Sequence, residues 1–396
     1  MSVNAMNFEQ AGTLLSAINA QATGSTTLAK VSNVGEFISL AQNTRRVGDD
    51  PVLKAIGQVL ENSTIFSNRD YNSRFDSLRR DNNEYGAIMR KISYADKALK
   101  TNNQAWPYST GTGTTQLDDG QAVDMYKIWK PDVLETCFYG SAVYEGQYTI
   151  FRRQLDVAFS GPSEFAAFMS ALMNHFQNER TFWLENLSRM TVVNLIAGKI
   201  ASVGAGLGTG LVYLGDLAGT SNPDTYNDLV RKAYAAIAKT SRKMESRSAL
   251  YQQPTGKDIY RHTPAAFQRA YISADLMADI EARTLSTTYN DNWLEMVPHE
   301  SVDFWQNIQS PEAINIDAAY WNFTTKAVVT AAVNKAHVAG VLFDRDACGI
   351  NIYQNTVEPT PYNPAGEYYN LFAHTRVRLY NDFSEKVAVL LGEAEA

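Results

Sequence analysis

The stretch from 160 to 198 constrains the fold more than any other part of the chain. Its apolar side chains recur at steps of three and four residues, as at Phe165, Met169 and Leu172, which is the spacing of one face of an α-helix. Pro162 suits the first helical turn, and the glycine that ends the stretch suits a stop. The sequence therefore predicts one helix over 160–198, far longer than the usual length of about 11–12 residues.

Such a helix limits the shapes that the chain can adopt. A small compact enzyme core rarely needs a helix of this length, whereas a flat plate that lies against copies of itself can use one as a spine. A long core helix in a soluble α+β enzyme is the alternative interpretation. The remainder of the chain has to decide between the two.

Composition excludes several classes of protein. The chain has 396 residues, which is enough for two or three compact lobes. Its net charge of −7 argues against a protein that neutralises many phosphates by itself. The two cysteines form neither a disulfide framework nor a zinc-binding spacing, and a reducing compartment is the default. We find no leader pattern and no apolar run of about 18 residues, so we expect neither a signal peptide nor a membrane span.

The first 65 residues are predicted to form an arm rather than a domain. Short amphipathic helices, the first of them marked by Phe8 and Leu15, alternate with polar breaks. These helices carry too few apolar residues for a core of their own. We expect them to pack on another lobe or on another subunit.

Residues 66–130 are the most polar part of the chain. Two strand-like runs, at 88–94 and 123–129, flank a Gly/Thr-rich stretch that has the composition of a flexible loop tip. This pattern predicts a protruding β-hairpin made of the two runs. Long loops without regular structure are uncommon inside compact domains and usually have a function or bind a partner.

The segments around the long helix predict an α+β fold. Alternating side chains predict strands before the helix, at 134–138, 148–152 and 155–159, and again at 368–391, which we expect to complete the same sheet. Between them, residues 223–354 alternate short strands and helices, which predicts a second lobe with a small sheet. This lobe is then inserted into a discontinuous lobe that holds the long helix.

No stretch carries a recognisable catalytic, cofactor or metal motif. The five histidines are too far apart for a helical metal pair, and the sequence lacks the G-x-S-x-G, P-loop and C-x-x-C patterns. The glycines at 204–210 have the wrong spacing for a dinucleotide loop and follow a helix. The acidic pairs at 118–119 and 344–346 lack the arrangement of a calcium loop. We predict no enzyme activity, no cofactor and no metal site.

Three stretches resemble the major capsid proteins of tailed bacteriophages with the HK97 fold, above all those of phi29-like podophages. Residues 131–176 (PDVLETCFYGSAVYEGQYTIFRRQLDVAFSGPSEFAAFMSALMNHF) are similar to the strands and spine helix of that family. Residues 261–282 (RHTPAAFQRAYISADLMADIEA) resemble its inserted lobe, and residues 368–391 (YYNLFAHTRVRLYNDFSEKVAVLL) its terminal strands. The order of parts agrees over about residues 60–396.

The resemblance implies an HK97-like α+β capsid fold in five segments. They are an N-terminal arm (1–65), an extended E-loop hairpin (66–130), a P-domain with the spine helix (131–222), an inserted A-domain (223–354) and returning P-domain strands (355–396).

The same resemblance implies a major capsid protein of the virion that is assembled in the host cytoplasm. Copies of the chain would associate as pentamers and hexamers into an icosahedral or prolate shell around packaged double-stranded DNA, without sequence-specific binding. Scaffold, portal and decoration proteins are further expected partners. Two alternatives stay open, an encapsulin-like nanocompartment shell and a soluble α+β enzyme with an unidentified site.

Candidate contacts between copies come from the arm and the hairpin. Aromatic side chains are enriched at protein interfaces, and a cluster of basic side chains can face a partner or DNA. The candidate residues are Phe8, Leu15, Arg79, Arg80, Arg90, Lys91, Trp106, Tyr108 and Trp129.

Overall fold

The structure of the chain is a computed structural model that describes residues 7–25, 28–48, 51–56, 73–80, 89–96, 126, 130, 132–140, 142–217, 219–220, 222–284 and 298–394. Its helices are α1 (Phe8–Thr23), α2 (Val34–Val47), α3 (51–56), α4 (Arg152–Ala158), α5 (Pro162–Gly204), α6 (Pro223–Glu245) and α7 (Ala274–Thr284).

The strands of the described residues form two larger sheets and two hairpin-like pairs. They are β1 (Arg79–Arg80), β2 (Met89–Tyr94), β3 (Val133–Phe138), β4 (Ala142–Phe151), β5 (Leu211–Tyr213), β6 (Gln268–Ser273), β7 (His299–Val302), β8 (Ile314–Asn322), β9 (Ala327–Lys335), β10 (Val338–Asp344), β11 (Cys348–Pro359), β12 (Tyr368–Asn381) and β13 (Val387–Leu391). A four-stranded sheet has the order β1-β11-β12-β4, and a five-stranded sheet has the order β5-β13-β10-β6-β7. In addition, β2 pairs with β3 and β8 pairs with β9.

Helix α5 is longer than the predicted helix over 160–198, because it continues through Gly198 to Gly204. Gly198 does not stop the helix but makes room for an aromatic ring. A Cβ atom added to Gly198 would lie 2.5 Å from Cζ of Phe383, closer than carbon atoms approach each other. The chain leaves the helix at Gly206, whose φ of +75° lies in the left-handed region that favours glycine.

The two halves of α5 are buried in two different apolar clusters. Phe165 and Met169, in the first half, pack with residues of α1, α2, α3, β4 and β12. Val192 and Ile196, in the second half, pack with the five-stranded sheet, the β8–β9 pair and the segment 73–80. Burial of apolar surface is the dominant favourable term in folding, so this one helix ties both clusters together.

The N-terminal helices pack on the first half of α5 in the same chain. Leu15 and Phe37 are fully buried there, and the rings of Phe37 and Phe165 lie 5.8 Å apart in an edge-on arrangement. The side chain of Asn7 caps α1 by accepting from the N–H of Gln10, whose own side chain accepts from the N–H of Asn7. Of the two expected partners, another lobe or another subunit, the structure shows the first, because these helices pack on α5 of their own chain.

The strand predicted over 155–159 is wrong, because the structure has helix α4 there. Leu155 and Phe159 belong to the cluster around the first half of α5, and Ala158 is buried as well, so the spacing is that of a helix. Val157, which the alternating pattern grouped with Leu155 and Phe159, is 57% exposed. Both periods fit so short a run, and the packing on α5 selects the helical one.

The stem of the predicted hairpin uses a different second strand. β2 pairs antiparallel with β3, with Tyr94 opposite Val133, whereas the sequence predicts a partner at 123–129. That run lies outside the described residues except for one position. Beyond the last pair, the N–H of Ala95 donates to the O of Asp132 at 2.8 Å. Both candidate partners alternate in the same way, so alternation alone cannot choose between them. We call β2 and β3 together the ribbon.

The prediction that residues 368–391 complete one sheet is correct for β12 and wrong for β13. β12 lies between β11 and β4, but β13 lies between β5 and β10 in the five-stranded sheet. Every residue of β13 is buried: Val389 belongs to the cluster around the second half of α5, and Leu390 to a cluster with α6 and α7. Such a strand needs cover on both faces, which α5 provides on one face of the five-stranded sheet and α6 and α7 provide on the other. The division of the chain into five segments stays a prediction.

Lys199 lies on the second half of α5 and is completely buried. Its Nζ donates a hydrogen bond to the O of Tyr251 at 2.9 Å. The same carbonyl accepts from the N–H of Val387, and Tyr251 has a φ of +66°. Burial lowers the pKa of Lys199 to about 7. The lysine therefore holds the loop after α6 in place, although much of it is uncharged at neutral pH.

We expect Gly198→Ala to lower the free energy of unfolding by about 1–3 kcal/mol, because the added methyl group overlaps the ring of Phe383. Gly204→Ala is the matched control, since no atom lies within 4 Å of a Cβ there and alanine favours a helix. Urea unfolding of the purified chain, followed by circular dichroism, measures both variants. Equal midpoints would contradict the close packing at Gly198.

Lys199→Met should flatten the dependence of stability on pH. The folded pKa of about 7 lies below the ordinary value of 10.5, so between these values the unfolded chain binds more protons and the free energy of unfolding rises with pH. One such group contributes a slope of at most about 1.4 kcal/mol per pH unit, and methionine removes it. Urea midpoints measured across this pH range test the slope.

The matched control is Lys232→Met, which replaces an exposed lysine on α6 and should leave the slope unchanged. An equal rise of stability with pH in the Lys199→Met variant and in the unaltered chain would show that Lys199 is not the group responsible.

Candidate functional site

The two arm candidates for contacts between copies lie on α1. Phe8 is half-buried, and its ring centroid lies 6.2 Å from that of Phe37. Leu15 has no exposed surface, because it lies in the cluster around the first half of α5. In this arrangement Leu15 stabilises its own chain, and a contact with another copy through this side chain requires α1 to move.

The four basic candidates lie on two strands that belong to different sheets. Arg79 and Arg80 form β1 at the edge of the four-stranded sheet, and Arg79 is exposed. Arg90 is exposed on β2, where its Nε lies 2.7 Å from Oε1 of Glu135. The hydrogen bond from Arg90 lowers the pKa of Glu135. Lys91 points to the other face of the ribbon, where its side chain is 24% exposed and paired with carboxylates of its own chain.

The remaining candidates, Trp106, Tyr108 and Trp129, lie outside the described residues. The use of the nine candidate residues as contacts between copies therefore stays a prediction.

The ribbon has one inward and one outward face. The outward face carries Ile92, Tyr94 and Val133, which are 50%, 64% and 39% exposed. The inward face carries Ser93, which is buried, and Phe138, whose ring centroid lies 5.2 Å from that of Tyr380. Large apolar side chains at one exposed place are typical of a surface that contacts another protein.

The end of the ribbon at Tyr94 and Val133, where the segment 95–132 connects the two strands, is fastened to the loop that follows α6. The N–H of Asp96 donates to the O of Asp258 at 2.7 Å, and the carboxylate of Asp96 pairs with Arg247. Lys257 donates from Nζ to the O of Val133. This end of the ribbon is therefore held against the body of the protein.

A segment just before the ribbon is also anchored, at 73–80. The hydroxyl of Tyr271 lies 2.6 Å from Oγ of Ser77, and Nη1 of Arg74 lies 2.5 Å from Oδ1 of Asp303. Burial raises the pKa of Tyr271, so this phenol stays protonated at neutral pH. These contacts join the segment to β6 and to the chain after β7.

A second apolar surface lies between the first half of α5 and the strands β4 and β12. It is a groove of about 340 Å³ whose lining includes Tyr148, Leu172, Phe176 and Trp183. The ring of Phe182 on its rim is 59% exposed. Like the outward face of the ribbon, this groove offers apolar area rather than reactive groups.

The described part of the chain holds no group of three or more His, Cys, Asp and Glu residues that is suited to a metal ion. No helix among the described residues is long and apolar enough to cross a membrane. The described surface instead has two exposed apolar areas, the outward face of the ribbon and the groove beside α5. Hydrogen bonds and ion pairs hold the ribbon in place, and such an arrangement is suited to contacts between proteins.

The family model of the Phi29-like phage major capsid protein matches residues 16–390 of the chain. The chain belongs to this family. It is a shell-forming structural protein of the virion, and the match favours this function over a cellular nanocompartment and over a soluble enzyme. The resemblance found in the sequence is thereby confirmed.

Solved structures of phage capsids share the fold of this capsid protein. A chain from the capsid structure of Staphylococcus phage Andhra has a TM-score of 0.52 at 11% identity, covering 84% of this chain and 87% of that chain. A chain from the structure of the head fiber and inner core protein of the native bacteriophage P68 has a TM-score of 0.51 at 11% identity, covering 84% and 88%. These matches confirm the HK97-like α+β fold. No curated protein sequence matches this capsid protein significantly.

Sequence reasoning missed the residues that fasten and expose the ribbon. The sequence predicts that Lys91 contacts another copy, whereas its partners are Asp382 and Glu385, about 290 positions away in the same chain. No spacing rule connects residues at such a distance. Ile92 and Tyr94 alternate with polar residues as in any strand, and only the paired structure shows which face is open.

Leu15→Ala should destabilise the unassembled capsid protein by about 2–5 kcal/mol, because it opens a cavity in the cluster around the first half of α5. Gln21→Ala, at an exposed position of the same helix, should have little effect. Urea unfolding of the subunit at low concentration measures the difference. A variant that unfolds like the unaltered subunit would show that α1 does not pack on its own chain.

Proposed function

We propose that copies of this capsid protein assemble as pentamers and hexamers into a closed icosahedral or prolate shell around packaged double-stranded DNA. The observation that carries this proposal is the outward face of the ribbon, where Ile92 and Tyr94 are at least half exposed while the end of the ribbon next to Tyr94 is fastened to the body. A rigidly held, exposed apolar face is suited to one defined contact on a neighbouring copy.

A repeated contact of this kind explains closure. An interface between different faces of two identical subunits generates rings when the rotation between them closes. Each buried square ångström of apolar surface contributes roughly 25 cal/mol, so one contact through a narrow ribbon is modest. Many such contacts around a ring hold every subunit at several places at once, and the assembly is far more stable than one contact.

The net charge of the chain is more typical of a protein that encloses DNA than of one that binds DNA tightly. The net charge of −7 does not favour a protein that clamps the phosphate backbone by itself, since tight binding to DNA depends on many basic side chains. We propose that the shell encloses DNA without reading its sequence. We also propose that the protein has no enzyme activity, that it assembles in the host cytoplasm, and that scaffold, portal and decoration proteins are its partners.

The proposed segments can be placed on the described elements. We assign α4, α5 and the four-stranded sheet to the P-domain, and the five-stranded sheet with α6 and α7 to the A-domain. Compared with the five predicted segments, this assignment moves β5 and β13 into the A-domain, and β1 and β11 into the P-domain. The ribbon forms the stem of the E-loop, and α1 to α3 belong to the arm.

Electron microscopy of the purified full-length protein, expressed alone and together with the scaffold gene of its phage, tests the proposal. We expect closed shells built of five-fold and six-fold clusters in at least one of the two preparations. Subunits that remain single in both preparations, at concentrations where related capsid proteins form shells, would contradict the proposal.

The double variant Ile92→Asp/Tyr94→Asp should fold but form no closed shells, because two carboxylates on the outward face cannot be buried against a neighbour without a partner. Ile92→Val keeps the face apolar and is the control that should assemble. Circular dichroism establishes folding, and electron microscopy counts the shells. Normal shell yield from the double variant would exclude the outward face as a contact.

A further inference from the structure

A cluster of four charged side chains lies under the ribbon. Nζ of Lys91, on β2, lies 2.5 Å from Oδ2 of Asp382 and also donates to Oε1 of Glu385. Nε of Arg261 lies 3.3 Å from the same oxygen of Glu385. The cluster contains two cations and two anions and is therefore neutral as a whole.

Arg261 also contacts the ribbon directly. Its Nη2 donates to Oγ of Ser93 at 2.6 Å, two positions beyond Lys91 on the same face of β2. The ribbon is thus held at two successive inward positions by side chains from two other parts of the chain. We call Lys91, Arg261, Asp382 and Glu385 the latch.

The anions of the latch occupy a special place in the fold. Residues 382–386 carry the chain from β12, in the four-stranded sheet, to β13, in the five-stranded sheet. Asp382 is fixed there by its own N–H, which donates to the O of Ala347 at 2.7 Å, and by its Oδ1, which accepts from the N–H of Ser384 at 2.9 Å. A side chain that binds to this crossing is therefore held in a fixed position relative to both sheets.

Burial of the latch favours one orientation of the ribbon over others. The side chain of Asp382 has no exposed surface and that of Glu385 is 8% exposed, so each carboxylate needs a cation. Burial opposes the charge on Lys91, but the two carboxylates outweigh it and raise the pKa of this lysine. Removing one member of a buried ion pair leaves the other unpaired, which is strongly unfavourable. A ribbon in another orientation would leave both carboxylates buried without Lys91 as a partner.

We propose that the latch fixes the direction of the ribbon relative to the two large sheets, and that its four members are positioning residues for shell assembly. The inference rests on the proposed function in one respect, namely that the outward face of the ribbon contacts a neighbouring copy. A ribbon with a fixed direction presents Ile92 and Tyr94 at one angle, and that angle sets how neighbouring subunits meet. Without the latch, the same apolar face is present but its angle is not defined.

Arg90 provides a matched control on the neighbouring position of β2. Its pair with Glu135 lies on the outward face, where both side chains are about half exposed. Exposed ion pairs contribute little to stability, since water already solvates both charges. Lys91→Met and Arg90→Met therefore remove the same charge from the same strand, one from the latch and one from the surface.

Hydrogen exchange of the unassembled full-length protein, read by mass spectrometry, tests the latch. We expect Lys91→Met to speed exchange of the amides at 89–94 and 133–138 at least about tenfold, with no change at 192–200 in α5, because only the ribbon is released. Arg90→Met should leave the ribbon protected. Ribbon exchange that is the same in both variants would overturn the proposal.

Lys91→Met leaves two buried carboxylates beside one arginine and can prevent folding. The double variant Lys91→Met/Asp382→Asn avoids this problem, because Arg261 keeps Glu385 as its partner and the asparagine Oδ1 can still accept from Ser384. We expect this variant to fold, with normal protection in α5 and fast exchange in the ribbon. Normal ribbon protection in the folded double variant would also overturn the latch.

Electron microscopy of the same preparations separates this inference from the proposed function. We expect the double variant to give few closed shells and many open or irregular ones, and Lys232→Met, which removes an exposed lysine of α6 that is not among the candidate contacts, to give closed shells. A loosened ribbon with a full yield of closed shells would remove the positioning role. If the unaltered protein formed no shells while the exchange result held, the proposed function would fail and the structural role of the latch would stand.

Discussion

Burial of both halves of α5 is the constraint on which the rest of the structure depends. The first half is covered by the N-terminal helices and by β4 and β12, and the second half by the five-stranded sheet and the β8–β9 pair. Neither cluster is complete without its half of the helix. The absence of a side chain at Gly198 lets the ring of Phe383 lie directly on the helix, so the crossing between the two sheets is seated against the same element.

A second theme is the use of buried lysines to fix irregular backbone. Lys199 holds Tyr251 from the side of α5. Lys386 is fully buried and donates to the O of Met244, in the last turn of α6, at 3.1 Å and to Oγ of Ser248, after that turn, at 3.2 Å. A cation at the C-terminal end of a helix faces unpaired carbonyl groups and is favourable there. Burial nevertheless lowers the pKa of Lys386 to about 8. The ribbon packs on both of these segments, the loop after α6 and the crossing at 382–386.

Much of the fold follows from local pattern, and the rest depends on contacts distant in sequence. Pro162 marks the start of α5 correctly, because a first-turn proline is a local signal. Gly198 misleads, because its partner Phe383 comes from the C-terminal part of the chain. The run 155–159 fits two periods, and only α5 decides between them. For the candidate site, sequence alone placed Lys91 on the hairpin but not its buried partners, since no local rule pairs residues on β2 with the crossing after β12.

The position of β13 has a consequence for synthesis. In the five-stranded sheet of the described residues, β13 lies between β5 and β10. It pairs in parallel with residues 211–213, which are synthesised long before β13. A polypeptide that ends before Asp382 lacks that link between β5 and β10, the two carboxylates of the crossing, and the side chains of β13 that pack on both faces of the sheet. The five-stranded sheet therefore cannot be completed until the chain has been made through Leu391.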